Sequence, residues 1–230
     1  MLEAAVMPFL PVQGTDGWEV DDPDPRHPRN WWREGSLLVE ELAQHGLELL
    51  GADDPFVWST DLDGAKFWER WPWFRSRKDK RDWLAGSKAL RWYLLRYWPL
   101  DRPRPPLVLV THSHGLQVAL YAAAAGLRID YLLDIAGPVR GDVLEETAAG
   151  LQNIGHWMHV TDGEGDLIQG LGRIGDGHVG GAVQLPASVE IVEIPDIDHS
   201  ELLSNPQLVP SAWREYGLLD FLLEAEASAA

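Results

Sequence analysis

The chain has 230 residues, 45% of them hydrophobic, and its 36 acidic against 19 basic residues give a net charge of −17. The length predicts a single domain, and the lack of cysteine excludes disulfide frameworks, thiolate metal sites and a cysteine nucleophile. No apolar run approaches the roughly 20 residues of a membrane span, and the acidic charge disfavours non-specific binding to nucleic acid or to anionic lipid. Since no signal peptide is recognisable, we expect a soluble, cytoplasmic protein.

The first half of the chain predicts two strands and two helices. A short apolar run over Ala4–Val12 ends at a glycine-containing turn, which predicts a buried strand. After a proline-rich loop at 21–30, the mixed apolar and acidic pattern of Leu37–Leu50 predicts an amphipathic helix. A short strand over Pro55–Ser59 and a helix over Ala85–Trp98 follow.

The second half alternates strands and helices more clearly. A continuous apolar strand over Leu107–Val110 is followed by a helix over 115–126 that is apolar on nearly all sides. The remaining predicted elements are strands at Asp130–Ala136, His156–Thr161 and Val189–Ile194 and helices at 142–152 and Ser211–Glu226. This order predicts an α/β fold with a mostly parallel sheet of about six strands flanked by helices.

The segment Thr111-His112-Ser113-His114-Gly115 connects the clearest strand to the clearest helix. A serine on a tight strand-to-helix turn exposes its hydroxyl at the top of the sheet, and the next backbone N–H points into the same space. The positive N-terminal end of the following helix adds to that environment. Ser113 is therefore a candidate nucleophile.

In this context the segment resembles the nucleophile elbow of the α/β-hydrolase family, specifically its compact lipase- and esterase-like members with an H-S-H-G elbow. Thr111 departs from the family pattern, which has glycine at that position. The resemblance implies an acid and then a histidine on later loops. Residues 163–168, GEGDLI, are similar to the family's acid loop, and residues 196–200, DIDHS, are similar to its histidine loop.

The resemblance implies an α/β-hydrolase domain with a catalytic triad of Ser113, Asp166 and His199. His199 would accept the serine proton, and Asp166 would orient the imidazole and stabilise its charged form. Asp162 is the alternative acid, because it directly follows the strand that precedes the acid loop.

The implied oxyanion hole has two backbone N–H donors. One belongs to His114, the residue after the nucleophile. Gln13-Gly14-Thr15 is similar to the family's oxyanion loop with Gln in place of His, so the second donor is expected at Thr15, with Asp16 as the alternative. The predicted activity is the cleavage of a small-molecule carboxylic ester or thioester through an acyl-enzyme, without a cofactor or metal.

Other functions stay open at this point. The same fold supports amidases, acyltransferases and non-catalytic binding or scaffold proteins. A metal-dependent hydrolase using His112 and His114 is a further alternative. Each site residue also has a structural interpretation: a serine–glycine turn can merely connect two elements, His199 can merely begin a helix, and Asp166 can merely cap a turn.

One basic and aromatic segment has no place in the predicted triad. Between Lys66 and Arg104 there are 12 basic and four acidic residues, a net charge of +8, and seven of the 12 tryptophans lie between Trp58 and Trp98. The charges predict a basic face paired with acidic neighbours or, alternatively, a dock for an anionic substrate or partner. The aromatic residues predict packing of an irregular segment or a small cap, over about 60–84, above Ser113.

Overall fold

The centre of the protein is a parallel β-sheet. The computed structural model describes residues 7–14, 24–58, 72–98, 104–161, 185–195 and 200–229. Its strands are β1 (Met7–Val12), β2 (Leu47–Leu49), β3 (Val108–His112), β4 (Ile129–Ile135), β5 (Ile154–Thr161) and β6 (Val189–Glu193). They pair in the order β2-β1-β3-β4-β5-β6, and every pair is parallel. The predicted α/β fold class is confirmed.

Helices cover both faces of this sheet. They are α1 (Leu37–Gln44), α2 (Pro72–Tyr97), α3 (Gly115–Ala124), α4 (Gly141–Thr147), α5 (Glu201–Ser204), α6 (Leu208–Glu215) and α7 (Leu218–Ala229). Because strand side chains alternate in direction, Phe9 and Val110 join the apolar cluster of α1 and α5–α7, whereas Leu10 and Leu109 join that of α2–α4. None of the described helices is long and apolar enough to cross a membrane.

The most deeply buried unit is β3 with α3. All five residues of β3 are buried, and α3 is buried from Gly115 to Ala123. The small side chains of α3 let its backbone approach the sheet closely. A Cβ atom at Gly115 would overlap the carbonyl oxygen of Val12. Only glycine fits there, so the sequence determines how closely the start of α3 crosses the end of β1.

The structure corrects two predicted elements in the first half. The helix predicted over Leu37–Leu50 ends at Gln44; Gly46, at φ +82°, turns the chain, and strand β2 follows. The strand predicted over Pro55–Ser59 was wrong for 55–58, which pair with none of the described strands. Phe56 and Trp58 of that segment pack instead in the cluster of α2–α4.

Helix boundaries also differ from the predictions. The helix predicted over Ala85–Trp98 begins at Pro72, and α4 ends at Thr147 and continues as a 3₁₀ helix to Asn153. The C-terminal helix predicted over Ser211–Glu226 is two helices, because Gly217, at φ +71°, separates α6 from α7. The predicted strands in this half keep their places within two residues at each end.

Candidate active site

Ser113 lies in a sharp turn between β3 and α3. Its φ of +52° is in the left-handed region, which costs a non-glycine residue about 1–2 kcal/mol. Its N–H donates to the carbonyl oxygen of Ile135 at 3.2 Å, and its own carbonyl accepts from the Leu116 N–H at 3.2 Å. The turn thus extends the hydrogen bonding of β3 to β4 and also begins the helix. Its side chain sits at the carboxyl end of the central strands, where parallel sheets of this kind bind their ligands.

The chain after β1 packs directly against this serine. A Cβ atom at Gly14 would lie 2.8 Å from the Ser113 Cβ and 3.3 Å from its Oγ. Glycine is therefore needed for the close approach, and a larger residue would displace the serine. This is the loop in which the sequence analysis expects the second oxyanion donor.

Several predicted site residues lie outside the described residues. They are Thr15, Asp16, Asp162, Asp166 and His199. Their roles therefore stay predictions. Of the predicted cap, residues 72–84 belong to α2, while 60–71 are also outside the described part.

A buried polar network lies beside the turn and was missed in the sequence analysis. The Thr111 Oγ1 donates to Asp134 Oδ1 at 2.8 Å, and His159 Nδ1 lies 2.6 Å from Asp134 Oδ2. The three residues are adjacent in the parallel register, on β3, β4 and β5, and Asp134 is fully buried. A carboxylate can remain there because both of its oxygens have partners.

This network gives the hydroxyl of Thr111, two positions before Ser113, a buried hydrogen-bond partner. The hydroxyl of Thr111 donates to Asp134 Oδ1, and a Cβ atom at Gly137 would overlap the same carboxylate. The sequence held one signal for it: Asp134 stands between Leu133 and Ile135 in an apolar strand, and a charge buried in a strand needs partners.

The two histidines that flank the serine contact opposite layers of the protein. His112 meets Trp31 edge-on, with ring centroids 5.9 Å apart, in the layer of α1. His114 stacks on Trp83 of α2, with centroids 5.6 Å apart and 23° between the planes. The two imidazoles therefore diverge, and within the described residues no three side chains of His, Cys, Asp or Glu form a metal-binding group.

On the His114 side of the turn, Trp83 and Arg140 form an aromatic and cationic wall. The guanidinium of Arg140 lies over the Trp83 ring, 5.2 Å from its centroid. It also donates from Nε and Nη2 to the carboxylate of Asp142, at 3.1 and 2.9 Å. An Arg held by both an acid and a ring fixes the indole, so Trp83 presents a rigid apolar surface against His114.

Gln13 contributes an unsatisfied amide at the end of β1. Its backbone carbonyl accepts from the indole Nε1 of Trp58 at 2.7 Å. Its side chain is fully buried, and neither side-chain polar atom has a hydrogen-bond partner in the described part of the chain. A buried carboxamide without partners is costly, so a donor and an acceptor remain available beside Gly14.

No protein-family model matches the chain, and no curated protein matches it. The chemistry of the site is therefore argued from its geometry. The described site combines a serine at positive φ, the Gly14 backbone packed against that serine, and Trp83 stacked on the next residue, His114.

Proposed function

We propose that the protein is a serine hydrolase of the α/β-hydrolase type that cleaves a carboxylic ester or thioester through an acyl-enzyme on Ser113. The observation that carries this proposal is the turn itself. Ser113 combines a positive φ with a position between a buried strand and the first turn of a buried helix. A strand–turn–helix context of this kind supports a nucleophile elbow, whereas the five-residue motif alone does not.

The proposed reaction has two steps. In the first, the Ser113 Oγ attacks the acyl carbon, His199 accepts its proton, and the same proton leaves with the alcohol or thiol. In the second, a water activated by His199 attacks the acyl-enzyme and releases the carboxylic acid. Asp166 orients the imidazole in both steps. The reaction uses neither a metal nor a cofactor.

The surroundings of the serine support an acyl substrate. The close approach of Gly14 to Ser113 agrees with a donor from the adjoining residue, Thr15, facing the developing oxyanion together with the His114 N–H. Trp83, fixed by stacking against His114, offers an apolar wall of the kind that binds acyl chains.

The test is covalent labelling with a fluorophosphonate probe, read by intact mass and peptide mapping. We expect one addition, at Ser113. Ser113→Ala should abolish labelling and ester turnover with an unchanged circular dichroism spectrum. The matched control is Ser87→Ala, because Ser87 is also buried but lies in a regular helix, and it should keep full labelling.

Labelling that persists in Ser113→Ala would contradict the proposal. A folded protein that neither reacts with the probe nor turns over any substrate would favour a binding or scaffold function. A panel of p-nitrophenyl esters, thioesters and anilides then assigns the bond type, and faster transfer to an added alcohol than to water would indicate an acyltransferase.

A further inference from the structure

Helix α2 exposes an unusual row of large apolar side chains. Among residues 80–98, the exposed large hydrophobic residues on this helix are Leu84 at 45%, Trp92 at 64% and Leu95 at 58%. Another exposed residue, Val57 at 44%, belongs to the segment that packs beside α2 through Phe56 and Trp58. Trp92 and Leu95 lie three positions apart on one helix face, and exposed apolar side chains grouped in this way are characteristic of interaction surfaces.

Basic side chains are interleaved with this row. Arg81, Lys88, Arg91 and Arg96 are exposed on the same helix. Between Lys80 and Trp98 the only acidic residue is Asp82, which is buried. The face is therefore apolar and positive, on a chain whose net charge is −17.

Lys88 and Arg91 are the cations available for a partner. Arg96 lies 3.4 Å from Asp54, and Lys80 is paired with Glu146. By contrast, Lys88 and Arg91 form no ion pair in the described part of the chain. Charges that satisfy no internal partner are free to neutralise an anionic surface.

The inner side of α2 holds this face rigid. Trp83, Leu90 and Leu94 are buried in the core, and the Tyr93 hydroxyl lies within hydrogen-bond distance of the carbonyl oxygens of Leu50 and Asp54, at 3.0 and 2.9 Å, and can donate to either. With a rise of about 1.5 Å per residue, the exposed row extends about 17 Å along a straight helix. A straight, convex row fits a flat surface better than it fits a concave pocket.

We propose that the outward face of α2, formed by Leu84, Lys88, Arg91, Trp92 and Leu95, docks onto an anionic lipid surface. Tryptophan and leucine enter the boundary between headgroups and acyl chains, and the long basic side chains reach the phosphates beside them. This docking goes beyond the proposed hydrolase activity and does not depend on it.

The charge distribution favours a lipid surface over a second copy of the chain. In a symmetric dimer both copies contribute the same face, so Lys88 and Arg91 of both copies would lie in one contact, and like charges would oppose it. The acidic remainder of the chain is repelled by anionic lipid only within a screening length of about 8 Å at physiological salt. That repulsion directs the molecule to approach with α2 first.

The test is co-sedimentation of the full chain with vesicles of equal parts phosphatidylglycerol and phosphatidylcholine, against pure phosphatidylcholine vesicles. We expect binding to the mixed vesicles that weakens at higher salt. The variants Trp92→Ser with Leu95→Ser, and Lys88→Glu with Arg91→Glu, should each lower the partition coefficient at least tenfold.

Two controls match these changes elsewhere on the surface. Ile191→Ser removes an apolar side chain that is 53% exposed on β6, and Arg128→Glu reverses an exposed cation outside α2. Both should keep wild-type binding. Ser113→Ala should also bind vesicles normally, so that docking and hydrolysis are scored separately.

Three results would overturn the proposal. The first is a folded protein that does not sediment with the mixed vesicles. The second is vesicle binding that the α2 variants leave unchanged. The third is sedimentation velocity showing self-association, or association with an added acidic protein, that needs Trp92 while vesicles fail to bind.

Discussion

Strands β3 and β4 are neighbours, and both end in a turn of the same backbone shape. Ser113 follows β3 at φ +52°, and Ala136 follows β4 at φ +53°; no other non-glycine residue in the described part of the chain has a positive φ. Two positions before each lies a buried polar residue, Thr111 and Asp134, and these side chains are hydrogen-bonded to each other. The backbone strain is therefore a property of the carboxyl end of the central strands and not of the serine alone.

The two turns differ in what surrounds them. After Ser113 the ten-residue helix α3 begins at once, and the backbone of Gly14 packs against the serine. After Ala136, residues 137–140 intervene before the seven-residue helix α4. Backbone strain alone therefore does not identify a nucleophile. In the proposed mechanism the serine side chain, the helix start and the adjoining backbone distinguish the first turn from the second.

The largest expected effect comes from moving the serine between the turns. Ser113→Ala combined with Ala136→Ser should leave ester turnover at least about 10⁴-fold below wild type, because the proposed oxyanion donors and the proposed base serve a serine at position 113. Turnover and fluorophosphonate labelling measure it. Labelling at position 136 would mean that a strained serine is sufficient and would break the distinction between the turns.

The next effect separates the two candidate acids that would complete the first turn. Asp166→Asn should lower kcat by about 10⁴-fold with little change in stability, since the histidine loses its tautomer. Asp162→Asn should mainly cost about 1 kcal/mol of stability, as for one lost local hydrogen bond. Steady-state kinetics and urea unfolding of both variants measure these effects. A large loss of kcat in Asp162→Asn, and not in Asp166→Asn, would make Asp162 the acid of the proposed triad.

A third prediction concerns the carboxylate shared by both turns. Asp134→Ala should cost about 3–5 kcal/mol in the free energy of unfolding, because it leaves the buried side chains of His159 and Thr111 without their hydrogen-bond partner. Asp130→Ala on the same strand is the control, since Asp130 is partly exposed, pairs with Arg128 and accepts one hydrogen bond from the Leu107 N–H; its cost should stay near about 1–2 kcal/mol. Equal losses in the two variants would show that the network is not holding the turns.

A fourth prediction uses the glycine at each turn. Gly14→Ala should lower kcat about 100-fold, because it displaces Ser113 from its attacking position. Gly137→Ala meets Asp134 and should lower stability while kcat in the folded protein changes less than tenfold. Kinetics below the unfolding transition, with thermal melts in parallel, measure both. A catalytic loss confined to Gly137→Ala would assign the site to the second turn.

The smallest effect tests the strain itself. Ala136→Gly should change stability by no more than about 1 kcal/mol, since relief of the left-handed conformation is partly offset by the flexibility of glycine in the unfolded chain. Urea unfolding measures this change, and ester turnover should stay at the wild-type rate. A large loss of turnover would show that the second turn takes part in catalysis.

The sequence predicted the part of the site that is local. Strand β3, Ser113 and α3 are consecutive, and a continuous apolar strand before a small-residue helix is readable without tertiary information. Strand β2 was not readable, because Leu47 and Leu49 continue the apolar spacing of α1 as well as they alternate in a strand. Gly46 was the signal that separates the two elements.

The features that the sequence analysis missed or predicted wrongly depend on contacts between residues far apart in the chain. The partners of Asp134 could not be predicted from the sequence, because only the pairing of β3 and β5 with β4 brings Thr111 and His159 next to it. The 55–58 segment has strand-like composition, but burial of Phe56 and Trp58 is satisfied by packing near α2 and not by sheet pairing. Packing of this kind overrides local preference.

Strand β1 has a consequence for how the protein folds. It lies between β2 and β3, and Phe9 pairs with Val108, so about 100 residues must be ordered or looped before that pairing forms. During synthesis β1 leaves the ribosome early and waits for β3 with one edge unpaired, a state exposed to aggregation. Gly14 reaches Ser113 only after this pairing. In refolding, any ester turnover should therefore appear later than helical structure, because the contact between Gly14 and Ser113 forms among the last events.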